Sequence, residues 1–116
     1  MINIDTQKQG ELMIIKVIGD VDASSSIELD KALKQAVSEG LKKILVNGHE
    51  LHYISSAGLG VFMSYLQDFE KQNIQMALFG LNEKVENVFK ILGLDQLIHL
   101  VSNEDDAKAY MNEAKS

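Results

Sequence analysis

Cysteine is absent from the chain, which excludes disulfides, thiolate catalysis, cysteine-type zinc sites and iron–sulfur clusters. Proline is absent too, so there is no proline-rich linker and no proline-limited folding step to expect. Aromatic residues make up 6% of the chain and the basic residues are scattered, a poor basis for a nucleic-acid stacking platform. Eleven basic residues stand against seventeen acidic ones, and the net charge of -6 removes any general attraction to nucleic acid or anionic membrane. No run approaches the ~20 apolar residues of a membrane span. The start, Met1-Ile2-Asn3-Ile4-Asp5, lacks the basic and apolar blocks of a signal peptide. The chain reads as a soluble, cytoplasmic protein.

What is there fits one domain. The 116 residues, 46% apolar, can bury roughly 65% of their unfolded surface without staples. Alternation at Ile2 and Ile4 and the apolar run from Leu12 to Ile18 predict a hairpin of strands, roughly 2–8 and 11–18, turning at Gln9-Gly10-Glu11. The second strand is nearly continuous in apolar character, which predicts a central place with both faces covered. Gly19-Asp20-Val21-Asp22 ends it, and Asp22 or one of Ser24, Ser25 and Ser26 caps a helix carrying Leu29, Ala32, Leu33, Ala36 and Val37. Short buried strands follow at Ile44-Leu45-Val46 and Met76 to Phe79. Between them lie a polar loop over 48–56 and a helix with Leu59, Phe62, Leu66 and Phe69 on one stripe. Asn82 caps a third helix with Val85, Val88, Phe89 and Leu92 inward. A short strand is expected at 98–101, and Asn103 caps a last helix with Ala107, Tyr110, Met111 and Ala114 inward. This order predicts an α/β fold with right-handed crossovers: a mixed, mostly parallel sheet of roughly four to five strands with about four helices, spanning 1–116.

Function in such a sheet gathers beyond the carboxyl ends of its strands. Two loops leave there together: Gly19-Asp20-Val21-Asp22, and His52 to Gly60, which opens the second helix. Ser55 or Ser56 can be an ordinary N-cap, or can mark a phosphate site where free N–H groups and the helix dipole favour an anion. Gly58 and Gly60 each cost a helix about 1 kcal/mol relative to Ala. Either another backbone approaches them or they make room against the sheet. A serine hydrolase would need His49 or His52 hydrogen-bonded to Ser55 or Ser56, and the G-x-S-x-G elbow is missing. His49 and His52 are a weak metal motif, and His99 belongs on an exposed strand face. Neither a phosphate-binding lysine loop nor a dinucleotide fingerprint is present. No catalytic residue, cofactor or metal is expected.

The order of elements, the Gly19-Asp20-Val21-Asp22 loop and the segment Ile54-Ser55-Ser56-Ala57-Gly58-Leu59-Gly60-Val61 resemble a STAS domain, and more narrowly the bacterial anti-sigma factor antagonists. The resemblance covers essentially the whole chain. It implies a partner switch. The dephosphorylated antagonist binds an anti-sigma factor that is also a GHKL-type ATPase and serine kinase, which frees the sigma factor. Phosphorylation breaks the complex, and a PP2C-type phosphatase resets it. By this resemblance Ser56, before Ala57-Gly58, is the phosphoacceptor, and Asp20, Asp22, Ser55, Ala57, Gly58 and Leu59 contact the partner. The sequence departs from the family pattern at Ser55 and Asn47, where Asp is frequent. That removes up to two negative charges and makes Ser55 a competing acceptor. A STAS module with another output or a small ligand fits the same residues.

Overall fold

The computed structural model describes the backbone of residues 2–115 and the side chains of residues 2–111. Six strands and four α-helices follow in the order β1 (Ile2–Gln9), β2 (Leu12–Val21), α1 (Ser26–Ser38), β3 (Lys43–Asn47), β4 (Leu51–Ile54), α2 (Ser56–Lys71), β5 (Gln75–Phe79), α3 (Glu83–Ile91), β6 (His99–Val101) and α4 (Glu104–Lys115), with a 3₁₀ turn at Leu94–Gln96 after α3. The sheet runs β1-β2-β3-β5-β6, with β4 paired to β2. β1 is antiparallel to β2; the other pairings are parallel. The mixed, mostly parallel α/β sheet matches the expectation, with one strand more than anticipated.

Alternation along each strand sorts the core into two layers, because successive side chains leave a strand on opposite faces. Met13, Ile15 and Val17 of β2, Ile44 and Val46 of β3, and Met76 and Leu78 of β5 join α1, α2 and α3. Ile14, Leu45, Ala77 and Phe79 face the other way and meet Ala107 and Met111 of α4. A slip of one residue would exchange these sets, so the pattern fixes register. The expectation for β2 is met in part. It is an interior strand, but β3 holds the centre of the order. Beyond Ile14 its outer face is half-open at Lys16 and Ile18, because α4 packs over β3, β5 and β6.

The added strand is Leu51–Ile54, inside what the sequence presented as a polar loop. Its exposed His52 and Tyr53 hide a strand whose two ends, Leu51 and Ile54, are both core residues. β4 continues the line of β3 along β2: β3 pairs with Leu12–Lys16, and β4 with Gly19, Asp20 and Val21. The chain steps between the two at Gly48-His49-Glu50. Gly48 donates its N–H to the Phe79 carbonyl at 2.8 Å, the Gly19 N–H donates to the Glu50 carbonyl at 2.9 Å, and the His49 ring packs edge-on to Phe79. β2 accordingly extends to Val21, three residues past its expected end.

The expected caps at Asn82 and Asn103 are present: their Oδ1 atoms accept from the N–H groups of Val85 and Asp106, each at 2.8 Å. Tyr110 is half-buried with its ring stacked on exposed His99; Ala114 lies outside the described side chains. Leu92, expected inward, is 55% exposed, because α3 ends at Ile91 and the chain turns at Gly93 with φ of 73°. Asn82 also donates its side-chain amide to the Leu51 carbonyl at 3.2 Å, tying α3 to β4. Asn82→Ala removes both bonds and should lower unfolding stability by about 1–2 kcal/mol, read as a shift in urea midpoint.

Candidate functional site

The site stands where β2 and β4 end side by side. Asp20 lies opposite Tyr53 and Val21 opposite Ile54, and the register shifts between Gly19 and Asp20. Gly19 supplies the φ of 107° that this bulge requires, a conformation that side-chain-bearing residues rarely adopt. The next polar link crosses between the two loops: the Ser55 N–H donates to the Val21 carbonyl at 2.8 Å. The loops expected to be neighbours are therefore joined, one residue before α2 begins.

Asp22 organises the first loop. Its Oδ1 accepts from the backbone N–H groups of Ser24 at 3.0 Å and Ser25 at 2.8 Å, and lies 2.9 Å from the Ser25 hydroxyl. That hydroxyl accepts from the Asp22 N–H at 2.8 Å and lies 2.9 Å from the Asp20 carbonyl. Asp22 is therefore the residue that satisfies the entry to α1, while the formal cap, Ser25, makes no side-chain bond into the helix. The hydrogen bonds from Ser25 and then Ser24 hold the Asp22 carboxyl down at about 2. Asp20 is exposed, with its carbonyl engaged and its side chain at the surface beside the serine loop.

In the second loop the two serines have different jobs. Ser55 is half-buried and is the N-cap of α2: its hydroxyl accepts from the Gly58 N–H at 3.3 Å. Ser56, the first helical residue, is exposed, as is Ala57. α2 has no acidic residue in its first turn, so nothing there offsets its N-terminal dipole.

The two glycines also separate. A Cβ on Gly58 would sit 2.7 Å from Val21 Cγ1 and 2.8 Å from Ile54 Cγ1, so this glycine lets α2 close onto the ends of β2 and β4. A Cβ on Gly60 would meet nothing within 4 Å. Gly60 makes no room against the sheet; its bare backbone faces outward. Leu59, expected at the partner surface, is a core residue at 3% exposure, and Gly58 is buried against strand ends. Neither presents side-chain surface to a partner in the isolated chain. The exposed residues of this part of α2 are instead Ser56, Ala57, Gly60, Met63, Ser64 and Gln67, and Tyr53 on β4 is exposed as well. Neither Met63 nor Tyr53 carries a motif: Met63 lies off the Leu59–Phe69 stripe, and Tyr53 falls in what reads as a polar loop.

The histidines lie elsewhere. The His49 ring lies against Phe79 and Gly80, and among the described residues neither His49 nor His52 hydrogen-bonds to Ser55 or Ser56. Glu50 pairs with Lys16 at 2.8 Å, an interaction that lowers the Glu50 carboxyl and raises the Lys16 ammonium. No cluster of three or more potential metal ligands occurs among the described residues. A cleft of about 460 Å³ lined by Lys42, Lys43, Phe69 and Ile74 opens at the far end of α2, about 20 Å from Ser56 along the helix.

This geometry belongs to a known class. A STAS domain family model matches residues 3–107, and the chain belongs to that family. Among its relatives it is similar to the anti-sigma-B factor antagonist of Staphylococcus aureus, 29% identical over 99 residues covering 85% of this chain and 92% of that protein. Its fold is that of an anti-sigma factor antagonist from Mycobacterium paratuberculosis (TM-score 0.86, 16% identity, 95% of this chain and 93% of the other). The unphosphorylated form of the anti-sigma factor antagonist SpoIIAA also shares it (TM-score 0.81, 18% identity, 96% and 97% covered).

Because the Asp22 carboxyl titrates lower in the folded chain than the ~3.9 of an unfolded aspartate, its ionised form favours folding. That contribution is complete above about pH 4 and is lost as pH falls toward about 2. Urea midpoints of Asp22→Asn should therefore vary less between pH 4 and pH 2 than those of the unsubstituted protein. Parallel curves would show that the carboxylate does not hold α1.

Proposed function

We propose that the protein is an anti-sigma factor antagonist that works as a phosphorylation-controlled partner switch and has no catalysis of its own. In this reading it works in the cytoplasm. Its unphosphorylated form occupies an anti-sigma factor that is also a GHKL-type ATPase and serine kinase. The sigma factor is released while that complex lasts. Phosphorylation of Ser56 ends it, and a PP2C-type phosphatase restores it.

The observation that carries this reading is the outward face of α2. From Ser55 to Gln67 the chain has no Asp, Glu, Lys or Arg, although 24% of all residues are charged. Ser56, Gly60, Met63 and Gln67 recur at spacings of four, three and four, so they line one side of the helix, and all are exposed. Met63 is 53% exposed, and Gly60 offers backbone that another chain can approach closely. An uncharged strip of this kind on an acidic protein suits burial against a partner. In this reading the exposed Asp20, paired across from Tyr53, and the exposed Asp22 supply orienting charge, while Tyr53 adds apolar area.

Ser56 stands at one end of that strip. A phosphate there adds about -1.5 to -2 charges. In the isolated protein the free N–H groups of α2 accommodate it, since no first-turn carboxylate competes. In the complex it would have to be desolvated on an otherwise uncharged face. A loss of about 3 kcal/mol weakens binding more than a hundredfold. The capping role of Ser55 favours Ser56 as the acceptor, because the Ser55 oxygen is already held by the Gly58 N–H.

Two measurements test this. Mass spectrometry after incubation with the cognate anti-sigma kinase and ATP should map one phosphate to Ser56. Labelling should be lost in Ser56→Ala and kept in Ser55→Ala, and the phosphorylated protein should bind the kinase at least a hundredfold more weakly. Phosphate on Ser55, or undiminished binding, would overturn the switch. Gly60→Ala separates docking from folding. Replacing a solvent-facing helical glycine should stabilise the isolated protein by up to about 1 kcal/mol, yet the added methyl should weaken kinase binding about tenfold or more. Unchanged affinity by calorimetry would place the docking face elsewhere.

A further inference from the structure

The two edges of the sheet are finished differently. β6 is three residues long. β1 runs for eight residues, from Ile2 to Gln9, and pairs with β2 along its whole length, from Ile2 opposite Gly19 to Gln9 opposite Leu12, without a shift of register. Asn3 and all residues from Asp5 to Gln9 are exposed. Edge strands are ordinarily kept from pairing by brevity, proline, bulges, lysines or a covering element. β1 is long, has no proline and carries no bulge. Its one lysine, Lys8, is ion-paired to Glu39 at the end of α1. The outer row of β1 backbone groups has no strand against it among the described residues.

We propose that β1 pairs with β1 of a second copy of the chain, antiparallel about a two-fold axis at Thr6, joining two sheets into one. An axis normal to the sheet keeps odd-numbered side chains of both copies on one face, so paired residue numbers must sum to an even value. Centring on Asp5 sets two carboxylates against each other, which is unfavourable. Centring on Ile4 or Gln7 shortens the ladder to five residues within Ile2–Gln9. Centring on Thr6 keeps seven, Asn3 to Gln9, and opposes no like charges: Asp5 meets Gln7, Ile4 meets the aliphatic stem of Lys8, and Asn3 meets Gln9. The strand is thus complementary to itself. The contact closes, because each copy has one such edge and the other edge is the short β6. The outward strip of α2 stays free, since β1 packs against α1 and β2. The inference does not depend on the partner switch.

The test is sedimentation equilibrium of the full chain near 0.15 M NaCl, with circular dichroism as a check on folding. The unsubstituted protein should show a reversible monomer–dimer equilibrium. It should tighten with added salt, because each copy carries a net charge of -6. Gln7→Lys places an ammonium opposite Asp5 twice per dimer and should tighten association about three- to tenfold; Gln7→Asp places a carboxylate there and should loosen it by a similar factor. Position 7 is exposed, so both variants should keep the fold. A protein that stays monomeric to about 1 mM, with Gln7→Lys equally monomeric, overturns the proposal. A dimer that responds alike to both substitutions overturns it too, by showing that the contact lies away from β1.

Discussion

The structure turns on one junction: β4 laid in parallel beside the end of β2. The Gly19 bulge re-aims β2, the Glu50 carbonyl receives the Gly19 N–H, and the Val21 carbonyl receives the Ser55 N–H. These bonds set the start of α2 against the start of α1. Gly58 then lets the helix sit directly on Val21 and Ile54, where any side chain would collide. Lose this alignment and Ser55 no longer caps α2 from a fixed point, Asp20 no longer lies beside the serine loop, and Ser56 has no defined setting.

The rest of the fold packs around that junction. Three helices cover one face of the sheet, with Phe62 and Phe89 packed 5.9 Å apart between α2 and α3. α1 and α2 are linked by the Tyr65 hydroxyl, which donates to Asp30 Oδ1 at 2.8 Å; burial and then this carboxylate push its pKa up to about 12. On the opposite face α4 covers the remainder with a smaller core. A frame of this kind carrying an uncharged helix face suits the proposed phosphate-controlled switch. In that proposal, a phosphate at the end of the face changes the surface more than the fold, because the helix terminus already presents free donors.

Much of this was legible in the chain itself. The apolar run from Leu12 to Ile18 marks an interior strand, helix spacing marks Leu29, Leu33, Phe62 and Phe89, and the caps at Asn82 and Asn103 follow from local chemistry. Such features depend on neighbours within a few residues, and a short window of sequence contains all the relevant physics. The two loops could be brought to one sheet edge because parallel crossovers leave few alternatives.

Tertiary structure decided what depends on partners far along the chain. Leu51–Ile54 is a strand because β2 offers it open backbone groups beyond the end of β3, and its exposed His52 and Tyr53 conceal that from any count of apolar residues. Gly58 and Gly60 are identical in sequence terms. Only the presence of Val21 and Ile54 beside one, and of open space beside the other, makes the first a packing residue and the second bare outward-facing backbone. Sequence determines periodicity, the inward stripe of each helix and local capping; what meets that stripe, and what stands open beside it, is set by where distant strands end.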